Sequence, residues 1–381
     1  MTVVTGIGVV CGLGATAKAF ADGLTAGRSA VAEQPGDDKP RYAARITNFP
    51  YAGRSPRPVQ VAVAAAREAW ESADLAARPL PPERVAVVVG GANLTGAALR
   101  AAARTDPAYV PPRLALHMQD TDHVATISQA LGLKGEGFTV GGASASGNVA
   151  IISGARLIES GAADACLVVG AMADPSPVEV RAYANVGALS WSAPSVPFDR
   201  SHRGFVWGEG AACLVLERAG ARRVPPLARL AGYAQCLDGN SLAAPSEDGE
   251  VRVMTRAVER ASATPDEIGY VSTHGTGAPL GDVTELRALR KVFGAGSPWL
   301  NATKALTGHC LSAAGVVEAV ATVIQLRDGF LHASPGLRDP VAPGGRFTGE
   351  RAEPVRIGLA LSNSFGFGGI NTCVVLGVAQ G

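Results

Sequence analysis

The chain has 381 residues, of which 47% are hydrophobic and 18% are charged. This composition is too apolar for a disordered protein, and the length is enough for two structural lobes or an internal duplication. A formal net charge of +1 and an aromatic content of 5% provide neither a basic field for nucleic acid nor a surface of stacked rings. No apolar stretch reaches transmembrane length, and no basic segment precedes the apolar N-terminal run. We therefore expect a cytoplasmic protein without nucleic-acid or membrane partners.

Six cysteines are scattered along the chain and form no C-x-x-C pair. They are Cys11, Cys166, Cys213, Cys236, Cys310 and Cys373. Their spacing fits neither a zinc site nor a disulfide framework, so we expect small core residues and no metal.

In the first 220 residues, apolar runs bounded by glycine alternate with alanine-rich stretches of helical periodicity. The predicted buried strands are 4–10, 84–91, 137–142, 165–172 and 211–217, and the predicted helices are 59–75 and 145–161. The segments 33–58 and 104–113 are richer in proline and polar residues and predict surface loops. Such alternation indicates a layered α/β fold around a largely buried sheet.

A second set of elements follows a proline- and arginine-rich joint near 219–226. Strands are predicted at 229–237, 268–275, 356–363 and 371–377, and helices at 251–263, 284–293 and 313–329. We expect two similar α/β halves, 1–220 and 221–381, although no sequence repeat is strong enough to prove a duplication.

The segment TVGGASASGNVAIISG places Ser144 where a buried strand turns into a helix. A hydroxyl on such a turn lies beside backbone N–H groups and the positive end of a helix dipole, which is the arrangement of a nucleophile elbow. The alternative is that Ser144 or Ser146 merely caps the helix. The segment alone favours the cap.

Three further segments carry candidate groups. His274 leaves a strand in YVSTHGTGAPLGD, and Lys304 and His309 precede a helix in NATKALTGHCLSAAG. Neutral imidazoles can donate a hydrogen bond to a developing oxyanion, and a nearby lysine keeps the local potential positive. The glycines of SNSFGFGGINT allow backbone N–H groups to approach a ligand closely.

Together and in this order, the four segments resemble the β-ketoacyl-acyl-carrier-protein synthases of fatty-acid and polyketide assembly. The resemblance covers essentially the whole chain and includes FDRSHRGFVWGEGAACLVLE at 198–217 and GHCLSAAGVVEA at 308–319. It implies a thiolase-like α/β fold, with two duplicated βαβαβαββ halves in an α-β-α-β-α arrangement and the active site between them. It also implies a dimer, for which we expect the apolar strand 165–172 as the pairing edge, and an acyl carrier protein as partner.

The resemblance further implies roles for individual residues. His274 and His309 would face the substrate thioester, while Lys304 would support the site electrostatically and pair with Glu318. No cofactor of the protein's own is expected, since the phosphopantetheine arm belongs to the carrier protein.

Two contacts to the substrate arm follow from the same resemblance. Phe367 would gate the acyl pocket, and its backbone N–H would join that of Ser144 as an oxyanion hole. Thr276 matches a hydroxyl that binds the arm, but Ala278 replaces a second threonine, so one contact is missing.

One departure from the family decides the functional prediction. The family carries a catalytic cysteine where this chain has Ser144, and Cys310 lies in another loop. A thiol of pKa about 8.5 is readily ionised at a helix N-terminus, whereas a serine alcohol needs an aligned general base. Condensation should therefore be badly impaired.

The malonyl half-reaction needs no thiol, because two imidazole N–H groups can stabilise the enolate left after loss of CO2. The chain resembles the Cys-to-Ser malonyl-carrier-protein decarboxylases of polyketide β-branching cassettes. The alternatives are an acyltransferase that uses Ser144 as nucleophile, a residual condensing enzyme, and a non-catalytic partner of the chain-length-factor kind. Homodimer and heterodimer both remain open.

Overall fold

A computed structural model describes residues 1–35, 39–52, 55–294, 298–342 and 345–379. The β-strands within these ranges are β1 (Thr2–Cys11), β2 (Ala32–Glu33), β3 (Tyr42–Ala44), β4 (Val85–Gly90), β5 (Gly137–Val140), β6 (Ala165–Gly170), β7 (Trp207–Gly208), β8 (Gly210–Arg218), β9 (Ala228–Leu237), β10 (Ile268–Ser272), β11 (Trp299–Asn301), β12 (Arg346–Phe347), β13 (Leu359–Gly366) and β14 (Ile370–Val378). The α-helices are α1 (Ala17–Thr25), α2 (Arg57–Ser72), α3 (Gly96–Ala102), α4 (Leu114–His117), α5 (Thr121–Leu131), α6 (Ser146–Ser160), α7 (Pro177–Asn185), α8 (Glu247–Arg260), α9 (Pro279–Phe293), α10 (Lys304–Thr307) and α11 (Ala314–Asp328).

Eleven of these strands form one sheet in the order β12-β11-β10-β13-β14-β9-β1-β8-β6-β4-β5. On each side of the antiparallel β1–β9 junction, two antiparallel steps are followed by parallel pairing. The parallel strands are β6, β4 and β5 on one side and β13, β10, β11 and β12 on the other. Each half runs βαβαβαββ, through β1-α2-β4-α5-β5-α6-β6-β8 and β9-α8-β10-α9-β11-α11-β13-β14. The predicted α/β fold with two similar halves is confirmed, while the boundary at residue 220 stays a prediction.

Five layers follow from the way the helices cover this sheet. Helices α2 and α5 cover one outer face, α8 and α9 cover the other, and α6 and α11 pack together between the two halves of the sheet. Because α11 is enclosed on all sides, 13 of its 15 residues are buried, including Glu318. A helix with so uniform an apolar surface fits only an interior layer.

Two glycines fix where the central helices meet. A Cβ on Gly147 would lie 2.7 Å from the backbone nitrogen of Val316, and a Cβ on Gly315 would lie 2.7 Å from that of Asn148. No other residue fits at either position without displacing backbone. The N-termini of α6 and α11 are therefore held in contact, and the turns that precede them converge on one place.

The predicted pairing edge at 165–172 is wrong. Strand β6 lies between β8 and β4, and all six of its residues are buried, so its backbone groups are already paired. The free edge of this half is β5, a short strand with half-buried residues. None of the helices in the described part of the chain is long and apolar enough to cross a membrane.

Candidate active site

Ser144 lies on the turn between β5 and α6, directly after Ala143, whose φ is 48°. The hydroxyl of Ser146 accepts a hydrogen bond from the Gly142 N–H (2.9 Å) and donates one to the Ala143 carbonyl (2.7 Å). Ser146 therefore satisfies backbone polar groups of the turn, and Ser144 is not needed as a cap for α6. Its half-buried side chain instead points toward His309.

His309 contacts Ser144 directly, since its Nε2 lies 2.9 Å from the serine Oγ. The backbone on both sides of His309 is fixed, because its N–H donates to the Val206 carbonyl (2.7 Å) and its carbonyl accepts from the Gly208 N–H (3.0 Å). The edge of Phe205 packs on the ring, with centroids 5.1 Å apart. Burial and the charge of Lys304 hold the pKa of His309 well below its usual value, so the ring is neutral at neutral pH.

His274 lies on the loop after β10, and its ring centroid is 5.8 Å from that of His309 and 5.6 Å from that of Phe365. Burial lowers the pKa of His274 well below its usual value, and Lys304 and His309 lower it further. The site therefore presents two neutral imidazoles, nearly perpendicular at 86°, to the same space.

Lys304 lies behind these rings and is buried with Glu318 as an ion pair. Its ammonium donates to a Glu318 oxygen and to the His274 carbonyl (2.5 Å), and lies 3.4 Å from His274 Nδ1. Burial raises the pKa of Glu318, and the attraction of Lys304 opposes that rise. The predicted pairing of Lys304 with Glu318 is thus present in the geometry, and it fixes the His274 loop.

Two buried carboxylates of α9 also hold the His274 loop, and sequence reasoning did not select them. Glu285 accepts from the backbone N–H groups of His274 (2.7 Å) and Gly275 (2.8 Å). Asp282 accepts from the N–H groups of Phe198 (2.7 Å) and Gly277 (3.1 Å). The signal was available, since acidic side chains eight and eleven residues after His274 fall on one face of a helix.

A cavity of about 810 Å³ opens beside these groups. Ser144, His274, His309, Thr276 and Phe367 all line it, whereas Lys304 and Glu318 are not among its described lining residues. The cavity thus brings together the five residues predicted to meet the substrate.

Phe367 and Thr276 both line the cavity, and Phe367 is the more exposed of the two. Phe367 is 46% exposed, and the loop carrying it touches the elbow, because a Cβ on Gly366 would lie 2.2 Å from the Gly142 carbonyl oxygen. The hydroxyl of half-buried Thr276 accepts from the Ala278 N–H at 3.2 Å.

Cys310 is no substitute for a thiol on the elbow. It is 2% exposed, and burial raises its pKa well above the usual value. Its sulfur contacts the Thr307 carbonyl (3.9 Å), and Cys310 is not among the described residues that line the cavity. A buried, protonated thiol is inert as a nucleophile.

Comparison with known proteins places the whole chain in one family. The family model for the beta-ketoacyl synthase N-terminal domain matches residues 2–221, and the model for its C-terminal domain matches residues 227–338. The polyketide biosynthesis malonyl-ACP decarboxylase PksF of Bacillus subtilis (strain 168) is 35% identical over 98% of this chain and 95% of its own length. The 3-oxoacyl-(acyl-carrier-protein) synthase 2 of Coxiella burnetii (strain RSA 493 / Nine Mile phase I) is 30% identical over 98% of this chain and 97% of its own.

A solved structure supports the same assignment. The ishigamide ketosynthase/chain length factor superimposes with a TM-score of 0.90 at 29% identity, covering 100% of this chain and 99% of that one. The predicted thiolase-like architecture is thereby confirmed. The chain belongs to the beta-ketoacyl synthase family.

Proposed function

We propose that the protein is a ketosynthase-like malonyl-carrier-protein decarboxylase that releases acetyl carrier protein in polyketide biosynthesis. The observation that carries this proposal is the pairing of two neutral imidazoles with a serine, rather than a cysteine, in one cavity. The relative PksF, 35% identical over nearly the full length, bears the name of a malonyl-ACP decarboxylase in polyketide biosynthesis.

The reaction follows from where charge develops. The malonyl carboxylate leaves as CO2, and the electron pair of the broken C–C bond forms the enolate of the acetyl thioester. The N–H groups of His274 and His309 donate hydrogen bonds to the enolate oxygen. These hydrogen bonds replace the water that the cavity excludes. Because both rings are neutral, they donate hydrogen bonds without giving up a proton. Lys304, behind His274, keeps the local potential positive.

Ser144 separates this activity from condensation. A condensing enzyme must first hold an acyl group on its elbow, and an alcohol accepts one only with an aligned base. Without an acyl-enzyme to attack, the enolate is protonated and leaves as acetyl thioester. In this scheme the Ser144 hydroxyl contributes a hydrogen bond to the bound group rather than a covalent bond.

The partner in this proposal is an acyl carrier protein whose phosphopantetheine arm enters past Phe367 and along Thr276. The oxyanion hole of the backbone N–H groups of Ser144 and Phe367 belongs to the same proposal. We propose a homodimer in the cytoplasm, while the ketosynthase/chain length factor pair among the structural neighbours makes a heterodimer the alternative.

The test is to incubate the protein with malonyl-loaded carrier protein and to follow the intact masses of both proteins. Loss of CO2 from the carrier protein, with no mass added to the enzyme, is the expected result. A carrier protein that keeps its malonyl group would overturn the proposal.

One contact supports a second candidate function. The 2.9 Å approach of His309 Nε2 to Ser144 Oγ is also the geometry in which a histidine acts as general base for a serine nucleophile. A Ser144-dependent acyltransferase would therefore show an acyl mass on the enzyme in the same experiment.

A further inference from the structure

Glu250, in the first turn of α8, is a buried acid that lines the cavity and has no part in the scheme above. Its side chain lines the cavity, is 1% exposed, and has no hydrogen-bond partner for Oε2 among the described residues. Burying an ionised carboxylate without a partner is costly, so such a group is held in the protonated form.

The carboxylates around Glu250 act in the same direction. Its pKa is raised well above the usual value by burial and by the negative charges of Glu285, Asp238 and Glu247. Glu250 is therefore a neutral carboxylic acid at neutral pH.

The other carboxyl groups that line the cavity are already occupied. Each accepts a hydrogen bond from a described N–H group: Glu179 from Ser176, Asp238 from Asn371, Asp282 from Phe198 and Glu285 from His274. Glu250 accepts none from the described residues, so among these five it is the group free to act on a ligand.

The position of α8 directs Glu250 toward the His274 loop. Met254 lies one turn later on the same face of the helix, and its sulfur is 3.5 Å from the side-chain nitrogen of Asn363. Asn363 in turn donates to Glu285 (2.9 Å), which holds the His274 backbone. The face of α8 that carries Glu250 is thus packed against the elements that position the catalytic histidine.

The start of α8 is also rigidly placed. A Cβ on Gly249 would lie 1.7 Å from Asp238 Oδ1 and 2.8 Å from Asn371 Nδ2. Asp238 follows β9 and Asn371 lies in β14, opposite Phe365 of β13. The residue beside Glu250 therefore packs closely against the residue that follows β9 and against β14.

We propose that Glu250 is the general acid that delivers a proton to the enolate carbon. This inference rests on the proposed decarboxylase function. The Glu250 O–H bond breaks, a C–H bond forms at the enolate carbon, and the Glu250 carboxylate then takes a proton from water. One proton is consumed for each CO2 released. His274 and His309 are poorer proton donors for this step, because a neutral imidazole N–H is a very weak acid.

The experiment measures kcat and kcat/KM for decarboxylation of malonyl-loaded carrier protein by the full chain, in H2O and in D2O. Glu250→Gln keeps the shape of the side chain but removes the acidic proton. Asp248→Asn is the matched control, because it removes one acid from the same turn where the side chain is 87% exposed. CO2 loss is irreversible and precedes protonation, so a missing general acid lowers kcat and leaves kcat/KM nearly unchanged.

We expect Glu250→Gln to lower kcat by about 10²-fold and to raise the solvent isotope effect on kcat, with Asp248→Asn behaving as wild type. A wild-type kcat, or an equal loss in kcat and kcat/KM, would overturn the role of Glu250. A wild-type enzyme that releases no CO2 would instead overturn the proposed function itself.

A second variant keeps the proposal testable if the Glu250→Gln protein does not fold. Glu250→Ala suits a helix and opens space in the cavity, so that formate can reach the vacated position. A lost kcat that formate restores supports the proposal. A wild-type kcat, or a loss that formate does not restore, overturns it.

Discussion

The turns that lead into α6 and α11 are built on the same backbone plan. Ala143 (φ 48°) and Leu311 (φ 50°) each begin a single 3-10 turn that continues into an α-helix of 15 residues. In both helices the second residue is a glycine, Gly147 or Gly315, and these glycines lie at the crossing. The two halves thus present equivalent turns to one cavity.

What differs is where each turn carries its reactive group. In the first turn Ser144 follows the residue of positive φ, whereas in the second His309 comes two residues before it. Ser312 occupies the position equivalent to Ser144 and also lines the cavity. The backbone plan thus determines where side chains converge, and the residues on either side of the bend determine the chemistry.

The largest expected effect comes from removing the histidines. His274→Ala and His309→Ala should each lower malonyl decarboxylation by about 10²–10³, because each removes one donor to the enolate oxygen. Rates of CO2 release from malonyl-loaded carrier protein measure this. His117→Ala, on α4 and outside the described lining of the cavity, is the comparison variant. Near-normal release in either active-site variant would remove that histidine from the mechanism.

The helix crossing provides the next test. Gly315→Ala should destabilise the fold by about 1–3 kcal/mol, because the added Cβ meets the backbone of Asn148 at 2.7 Å. Gly358→Ala is the matched control, since its Cβ would meet nothing within 4 Å. Urea unfolding compares the two. Equal stabilities would show that the helices can separate without loss.

Ser144 tests whether the first turn acts covalently. Ser144→Ala should lower decarboxylation by no more than about ten-fold, the equivalent of one hydrogen bond of about 1.4 kcal/mol. The steady-state rate and the intact mass of the enzyme are the readouts. A folded variant with no turnover would favour the acyltransferase. Ser144→Cys restores the family nucleophile and reports whether the cavity still accepts an acyl group.

The smallest expected effect is that of pH. His274 and His309 have pKa values well below 6.5, so both stay neutral as the pH falls below that value. Between pH 7.5 and 5.5, kcat/KM should therefore stay nearly constant, whereas an imidazole of ordinary pKa would lose about ten-fold of its neutral form. A pH–rate profile measures this. Burial raises the pKa of Glu318 to about 7, which lies in the same window. A limb centred near pH 6.5 in wild type and in Glu318→Gln alike would therefore show that one ring is solvated.

Much of the site could be predicted because its groups lie within short motifs. Ser144, His274 and His309 each follow a strand and precede a helix or a glycine loop, and such local patterns determine where a side chain emerges. Asp282 and Glu285 were missed because their partners are backbone N–H groups of another loop. Their spacing of three residues shows that both lie on one face of a helix, but not which backbone groups they contact.

The error over the pairing edge has a different cause. An unbroken apolar run such as 165–172 shows that both faces of a strand are covered, which is a property of interior strands. Strand β5 has only four residues and is half-buried, so it left a weak signal. The starts of α8 at Glu247 and α9 at Pro279 also precede the predicted helices, because their first turns are polar or capped rather than periodic.

Because of the contact between Gly147 and Gly315, the activity should be lost together with the tertiary structure. Ser144 comes from one half and the two histidines from the other, so their alignment depends on a crossing that neither half can form by itself. Slight heating should not open the site while leaving the rest of the molecule intact. Thermal inactivation and loss of tertiary structure should therefore share one midpoint, and a separately expressed half should be unable to turn over substrate.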